Sequence, residues 1–365
     1  MPDIAPAANT DGKIRVMLVD DSAVIRGLIG RELEKDPDIV IVASSHNGEA
    51  ALNALEKAAP DVIILDIEMP IMDGLTALPL IHEHCPKAKV LICSTLSVKG
   101  ADISMKALAL GATDCLVKPT STSEMGGAAE FQTKLLQTVK SLGRHKLKKT
   151  VPQYHATHKN DGNVLLRPKP PAKLPTALVA IGSSTGGPQA LFDVLKHLKE
   201  LRVPIVITQH MPATFTKLLA QHIEQNCGLP AHEGAQGMLL EKGHVYVAPG
   251  GFHMELQRNE DRSVSINIKD GAPENYCKPS VDPMMRSAVS LYGNRVLGVM
   301  LTGMGNDGLN SFKLLADEGG IIIAQDEKTS VVWGMPGAVA HAGLCNTILP
   351  LGEIGHEIFK NVMDN

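Results

Sequence analysis

The chain has 365 residues, of which 44% are hydrophobic and 20% charged, with a formal net charge of −4. This is enough apolar material for two buried cores, and the slight negative balance excludes a general electrostatic pull toward nucleic acid or anionic membrane. The six cysteines are scattered without a CxxC pair, which argues against a zinc site or disulfide framework and fits a reducing cytoplasm. No apolar run approaches signal-peptide or membrane-spanning length, so a cytoplasmic protein without membrane insertion is expected.

From Lys13 to Gly143, five short apolar runs read as strands: Ile14–Val19, Ile39–Ala43, Val62–Leu65, Val90–Cys93 and Asp114–Val117. Helical spacings separate them, as in Leu28, Ile29, Leu33 and Ala50, Ala51, Leu55. Strands alternating with helices predict βαβ crossovers and a parallel sheet covered on both faces.

Residues 141–175 carry eight Lys/Arg, a single Asp and five prolines (Pro152, Pro168, Pro170, Pro171, Pro175) with little periodicity. They read as a basic, proline-rich linker. No aromatic cluster accompanies the charge, which disfavours a nucleic-acid arm. After Pro175 the α/β rhythm returns, with strands expected at Ala177–Ile181, Val203–Thr208, His244–Ala248, Arg295–Leu301 and Ile321–Gln325. Period-two alternation in Phe252–Gln257 and Ser263–Ile268, around Arg258–Arg262, predicts a β-hairpin.

In the first half, Asp20-Asp21 ends the first strand, Asp66 the third, Ser94 the fourth and Lys118 the fifth. The carboxyl ends of neighbouring parallel strands converge on one crevice. Three carboxylates there repel one another unless a divalent cation sits among them, and oxygen-only ligands suit Mg²⁺. Such a cluster suits phosphoryl transfer onto a carboxylate, with Asp66 attacking and Lys118 pairing with the product. Together with LDIEMPIMDG at 65–74 and Lys118-Pro119, these residues resemble the receiver domains of two-component signalling. The resemblance, over about residues 13–143, implies a flavodoxin-like fold and a five-stranded parallel sheet. It also implies Mg²⁺ held by Asp20, Asp21, Asp66 and the backbone carbonyl of Glu68, with Asp66 phosphorylated by a sensor histidine kinase. Ser94 and Thr95 both lie near the family's switch hydroxyl, and strand register favours Ser94.

The stretch Gly182-Ser183-Ser184-Thr185-Gly186-Gly187-Pro188 lies between an apolar run and a helical pattern. It fails GxGxxG, because Ser184 replaces the second glycine, and it fails the Walker pattern, because Pro188 replaces the lysine. It fits GxSxG, in which a sharp turn lifts Ser184 clear of the backbone near a helix N-terminus. A serine nucleophile needs a base and an orienting acid. His210 follows the Val203–Thr208 strand, and Asp307 stands in the glycine-rich turn LTGMGNDG after another. An N-cap aspartate is the bland reading of Asp307. Met304, between glycines, would present its backbone N–H to an oxyanion. His253 and Asp282 are candidates to line the cleft, with hairpin packing and helix capping as equal alternatives. Trp333 is expected to pack beside Gly334-Met335-Pro336.

GSSTGG at 182–187, QHMP at 209–212, PSVDP at 279–283, TGMGNDG at 302–308 and GMPGAV at 334–339 resemble the chemotaxis protein-glutamate methylesterases. With the receiver ahead, the resemblance covers nearly the whole chain: receiver at 13–143, linker at 144–175 and a doubly wound α/β esterase domain with its hairpin at 176–365. It implies Ser184 as nucleophile, His210 as general base and acid, Asp307 as orienting group and the Met304 N–H in the oxyanion hole, with no cofactor for the esterase step. The implied substrate is a γ-glutamyl methyl ester on the cytoplasmic helices of a chemoreceptor, with glutamine deamidation as a second activity. It further implies that the unphosphorylated receiver restrains the esterase. The competing classes are a receiver joined to a non-catalytic binding module, which lacks its basic recognition helix here, and a nucleotide-binding enzyme, which the failed glycine motifs disfavour.

Overall fold

The structure, a computed structural model, describes residues 12–94, 97–118, 125–143, 164–169 and 174–363. Two compact units divide the chain, Met1–Lys159 and Asn160–Asn365.

The first unit runs β1 (Ile14–Val19), α1 (Ala23–Leu33), β2 (Ile39–Ser45), α2 (Gly48–Ala58), β3 (Val62–Leu65), α3 (Gly74–His84), β4 (Lys89–Ser94), α4 (Val98–Ala109), β5 (Asp114–Val117) and α5 (Met125–Leu142). All its strand pairs are parallel, in the order β2-β1-β3-β4-β5. Strands β1 and β3 are almost wholly buried, which is why they read as unbroken apolar runs rather than as alternation. Four helices start on side chains that accept an orphan backbone N–H: Ser22, Asn47, Asp73 and Ser97. The strand order reverses between β1 and β3, so the crevice beyond their carboxyl ends is the natural site of a ligand.

The second unit contains β6 (Leu178–Ser183), α6 (Gly187–Leu195), β7 (Ile205–Gln209), α7 (Ala213–Cys227), β8 (Ala231–Glu233), β9 (Val245–Val247), β10 (His253–Arg258), β11 (Val264–Lys269), α8 (Val281–Tyr292), β12 (Val296–Met300), α9 (Leu309–Asp317), β13 (Ile321–Gln325), α10 (Met335–His341), β14 (Thr347–Leu349) and α11 (Leu351–Met363). Seven parallel strands lie in the order β14-β13-β12-β6-β7-β9-β8, and β10 and β11 form a separate antiparallel hairpin. The apolar face of that hairpin, Met254, Leu256, Val264 and Ile266, joins Met284, Met285 and Ala288 of α8 in the core. The chain leaves β6 toward β7 and later returns to β12 on its other side, which makes β6 the second reversal point.

Most of the basic stretch, 144–163 and 170–173, lies outside the described residues. Its described stretch 164–169 belongs to the second unit. There the Arg167 amide donates to Cys345 O at 2.8 Å, and Lys169 pairs with Glu357 at 2.8 Å. The short edge strands β8 and β14 add to the strands expected from the sequence. Among the described residues no helix is long and apolar enough to cross a membrane.

A methyl group on Gly74 would meet the carbonyl oxygen of Asp66 at 2.3 Å, a backbone atom that has no rotamer with which to retreat. Gly74→Ala is therefore predicted to destabilise the first unit by about 1–3 kcal/mol. Urea unfolding followed by circular dichroism checks this, and an unchanged first transition would contradict it.

Candidate functional site

In the first unit, carboxylate oxygens of Asp20, Asp21 and Asp66 lie within 4.8 Å of one another. Lys118 Nζ sits against two of them, 2.7 Å from Asp20 Oδ2 and 2.9 Å from Asp66 Oδ2. Burial pushes the Asp66 carboxyl above its ordinary range while Lys118 pulls the other way. An oxygen-only set of this kind fits a hard cation such as Mg²⁺. The cleft is also lined by Glu68 and Ser94. Glu68 projects its side chain to solvent, 3.3 Å from Lys99. Ser94 is buried and hydrogen-bonds Ser104 Oγ at 2.8 Å. Thr95 and Pro119 lie outside the described residues.

The second site forms at the carboxyl ends of β12, β6 and β7. Ser184 follows β6, with its amide donating to Thr302 O at 3.0 Å and its carbonyl accepting from Gln209 Nε2 at 2.9 Å. The glycines of the motif have separate reasons. Gly186 has φ +77°, and a methyl group on Gly187 would lie 1.9 Å from Gln209 Oε1. Ser183 is not a second nucleophile candidate by position: it is fully buried and donates to Gln209 Oε1 at 2.7 Å. Gly303 makes room for Ser184 from the opposite side, since a Cβ there would approach Ser184 Cβ to 2.9 Å.

His210 Nε2 and Asp307 Oδ2 are 2.7 Å apart. A carboxylate only accepts, so Nε2 carries the proton and Nδ1 is the acceptor of the neutral ring. Asp307 is buried and accepts three further bonds, each of 2.7 Å: Asn275 Nδ2 and Ser280 Oγ on Oδ1, and the Val281 amide on Oδ2. It does not cap the helix that follows it, where Gly308 takes the N-cap position of α9. Instead it sits at the N-terminus of α8, whose dipole favours the negative charge. Burial works against the Asp307 charge, but His210, Ser280 and Val281 outweigh it and hold the carboxyl below its ordinary range. Burial also opposes charge on His210; Asp307 and Cys277 overcome that and push the imidazole up to about 9.

Nδ1 of His210 faces Cys277 Sγ at 3.5 Å. No hydrogen bond from Ser184 Oγ to His210 is present among the described residues. The three sequence candidates thus come to one strand-end rim, but only the histidine and the aspartate are joined. Met304 lies half-buried in the turn between Gly303 and Gly305. His253 and Asp282 are nearly fully buried. His253 Nδ1 accepts from the Ser280 amide at 3.2 Å, and its Nε2 donates to Ala272 O at 2.9 Å, so it braces the 272–280 loop. Asp282 accepts from Asn275 Nδ2 at 2.9 Å and the Ser311 amide at 2.9 Å. Trp333 donates to Gln325 O at 2.9 Å. Asn275 and Cys277 escaped the sequence reading, because an irregular loop has no period to announce them. Ser280 was inside the quoted PSVDP segment, and only its contact with Asp307 was hidden.

The CheB methylesterase family model matches residues 179–358, and the response regulator receiver domain matches residues 16–130. This chain belongs to the CheB methylesterase family. It is 49% identical to a protein-glutamate methylesterase/protein-glutamine glutaminase of a group 2 operon from Rhodospirillum centenum, covering 97% of this chain and 95% of that one. It is 50% identical to the protein-glutamate methylesterase/protein-glutamine glutaminase of Azospirillum brasilense, covering 98% and 96%. The crystal structure of the Thermotoga maritima CheB methylesterase catalytic domain superposes with a TM-score of 0.50 at 36% identity, covering 51% of this chain and 99% of that one.

The His210–Asp307 pair yields a titration prediction. The folded imidazole lies above its ordinary 6.5, so the stability it contributes is complete below that pH and is lost as pH rises through about 9. The Asp307 contribution runs the other way and is lost in acid, as pH falls through the depressed carboxyl value. NMR titration should place the His210 ring near 9 in wild type and lower in Asp307→Asn. A ring that titrates identically in both would remove Asp307 as the cause.

Proposed function

We propose that the second unit, taken as residues 176–365, hydrolyses γ-glutamyl methyl esters on chemoreceptor helices in the cytoplasm, releasing methanol. The observation that best supports this is the 2.7 Å bond from His210 Nε2 to Asp307 Oδ2 at the rim that also carries Ser184. Asp307 holds the ring in the tautomer whose Nδ1 accepts a proton. Ser184 Oγ attacks the ester carbonyl as Nδ1 takes its hydrogen, and the oxyanion so formed meets the Met304 backbone N–H. The imidazolium returns the proton to the departing methoxy oxygen, and methanol leaves. Water then attacks the acyl-serine with Nδ1 again as base. The glutamate carboxylate and a regenerated hydroxyl are the products. To serve Ser184, Nδ1 must first part from Cys277. Glutamine side chains are a second substrate, losing ammonia, as the names of the relatives describe for those proteins. Amine departure is the harder step, so the ester ranks first.

The first unit, taken as 13–143, acts in this reading as the phosphoacceptor switch, with a sensor histidine kinase as donor. Asp20, Asp21, Asp66 and the Glu68 carbonyl would hold Mg²⁺, which neutralises charge on the transferring phosphoryl group. Asp66 accepts the group, and Lys118 and Ser94 contact it afterwards. Phosphorylation changes esterase output only by the differential stabilisation it gives two states of the chain.

Methanol release from methylated receptor membranes tests both parts. Ser184→Ala should lose at least about 10³-fold in rate, and Asp307→Asn about 10²–10⁴-fold. A small-molecule phosphodonor should accelerate wild type but not Asp66→Asn. Full activity in Ser184→Ala would sink the assignment of the nucleophile, and acceleration of Asp66→Asn would sink the switch.

A further inference from the structure

Cys277 stands apart from the other cysteines of the second unit. Cys227 and Cys345 are buried, and burial pushes their thiols up to about 11 and about 12. Cys277 is half-buried on the loop between β11 and α8, with Sγ 3.5 Å from His210 Nδ1. The ester chemistry makes no use of this thiol. Yet a thiolate and an imidazole nitrogen are the ligands that zinc prefers.

The spacing carries the argument. Zinc bonds of ~2.0–2.1 Å to nitrogen and ~2.3 Å to sulfur place two tetrahedral ligands roughly 3.5 Å apart. His210 Nδ1 and Cys277 Sγ already have that separation. The other nitrogen is equally well prepared. Metal-ligating histidines commonly donate their second N–H to a carboxylate, which fixes the ring and raises its basicity. Asp307 does this at Nε2. Donor atoms of all three residues fall within 4.8 Å of one another, but Asp307 lies across the ring from the thiol and serves as the outer partner. The oxygen-only cluster of Asp20, Asp21 and Asp66 is a hard site with the opposite preference.

We propose that His210 Nδ1 and Cys277 Sγ form a binding site for a thiophilic divalent cation, Zn²⁺. Binding releases the thiol hydrogen and, wherever the ring is charged, the Nδ1 proton as well, and water fills the remaining positions with no change of oxidation state. The functional consequence rests on the reading of His210 as the base. The ion occupies the lone pair that would accept the Ser184 proton, so ester hydrolysis stops while it is held and resumes when it is removed. Histidine and cysteine stand too far apart in sequence for any spacing motif, which is why the scattered cysteines argued against zinc.

The test uses the full chain in excess Mg²⁺, with Co²⁺ as the spectroscopic probe and Zn²⁺ as the competitor. Wild type should develop a thiolate-to-cobalt charge-transfer band that Zn²⁺ displaces, and Cys277→Ala and Cys277→Ser should not. Zn²⁺ affinity should fall at least about tenfold in both variants. Methanol release by wild type should be lost with Zn²⁺ and restored by EDTA, while each variant keeps its own zinc-free rate. Absence of the band in wild type overturns the site. Equal zinc inhibition of wild type and both variants also overturns it, and would direct attention to the His232–His244 pair, whose ring nitrogens are 3.2 Å apart. A Cys277-dependent band without inhibition leaves the site standing and refutes His210 as the base.

Discussion

The second unit depends on keeping one carboxylate charged where water does not reach it. Asp307 is 2% exposed, and an ion moved into such a place costs several kcal/mol unless its lone pairs are met. Here all are met, by Asn275, Ser280, the Val281 amide and His210. Charge-assisted bonds of this kind are worth about 1.5–3 kcal/mol each, so removing a single donor forfeits a contribution of that size while the carboxylate stays buried. The loop geometry follows from that requirement. Asn275 and Tyr276 both have positive φ, 51° and 62°, and this bend aims one amide nitrogen at Asp307 and Asp282 together. His253 supports the same loop from below through Ser280 and Ala272.

Both units obey one topological rule with different chemistry. In each, a parallel sheet reverses its strand order, and the residues that matter stand just past the carboxyl ends at the reversal. At the first site the carboxylates outnumber the cations. Lys118 lies between Asp20 and Asp66, and burial still pushes Asp66 upward, a charge balance that a divalent ion would correct. At the second, one carboxylate is fully supplied with donors, and its influence passes outward through a single imidazole. A shared fold class therefore says little about function here. The donor sets at the strand ends carry the distinction.

Much of this was legible in the sequence because it is local or periodic. Ile14–Val19, Val62–Leu65, Asp114–Val117 and Ile321–Gln325 have the observed strand limits as read from their apolar runs. The GSSTGG turn announced a strand, a sharp corner and a helix, and Gly186 has the positive φ that such a corner uses. What was hidden is tertiary. Asp307 resembles an N-cap of its own helix, but it accepts a first-turn amide of a different one, α8, whose N-cap is Ser280, and nothing within a few residues of it reveals that. Asn275 and Cys277 sit in a loop whose conformation is fixed by its partners rather than its composition. His253 and Asp282 drew notice as polar residues near a cleft, and they prove to be buried braces.

Rigidity is unequally shared around the Ser184 rim. The Ser184 backbone is held by Thr302 on one side and Gln209 on the other, and Gly303 packs so closely that a single methyl group would displace it. Asp307 is equally fixed by its four bonds. His210 is held at Nε2 by a short charge-assisted bond, and its other nitrogen rests against a half-exposed thiol, a weak hydrogen-bond donor. A sulfur contact of that kind is easily exchanged for a hydroxyl or a metal ion, whereas the Nε2 bond to a buried carboxylate is not. The imidazole is therefore the least constrained of the three side chains, anchored through Nε2 to a carboxylate that is itself fully held.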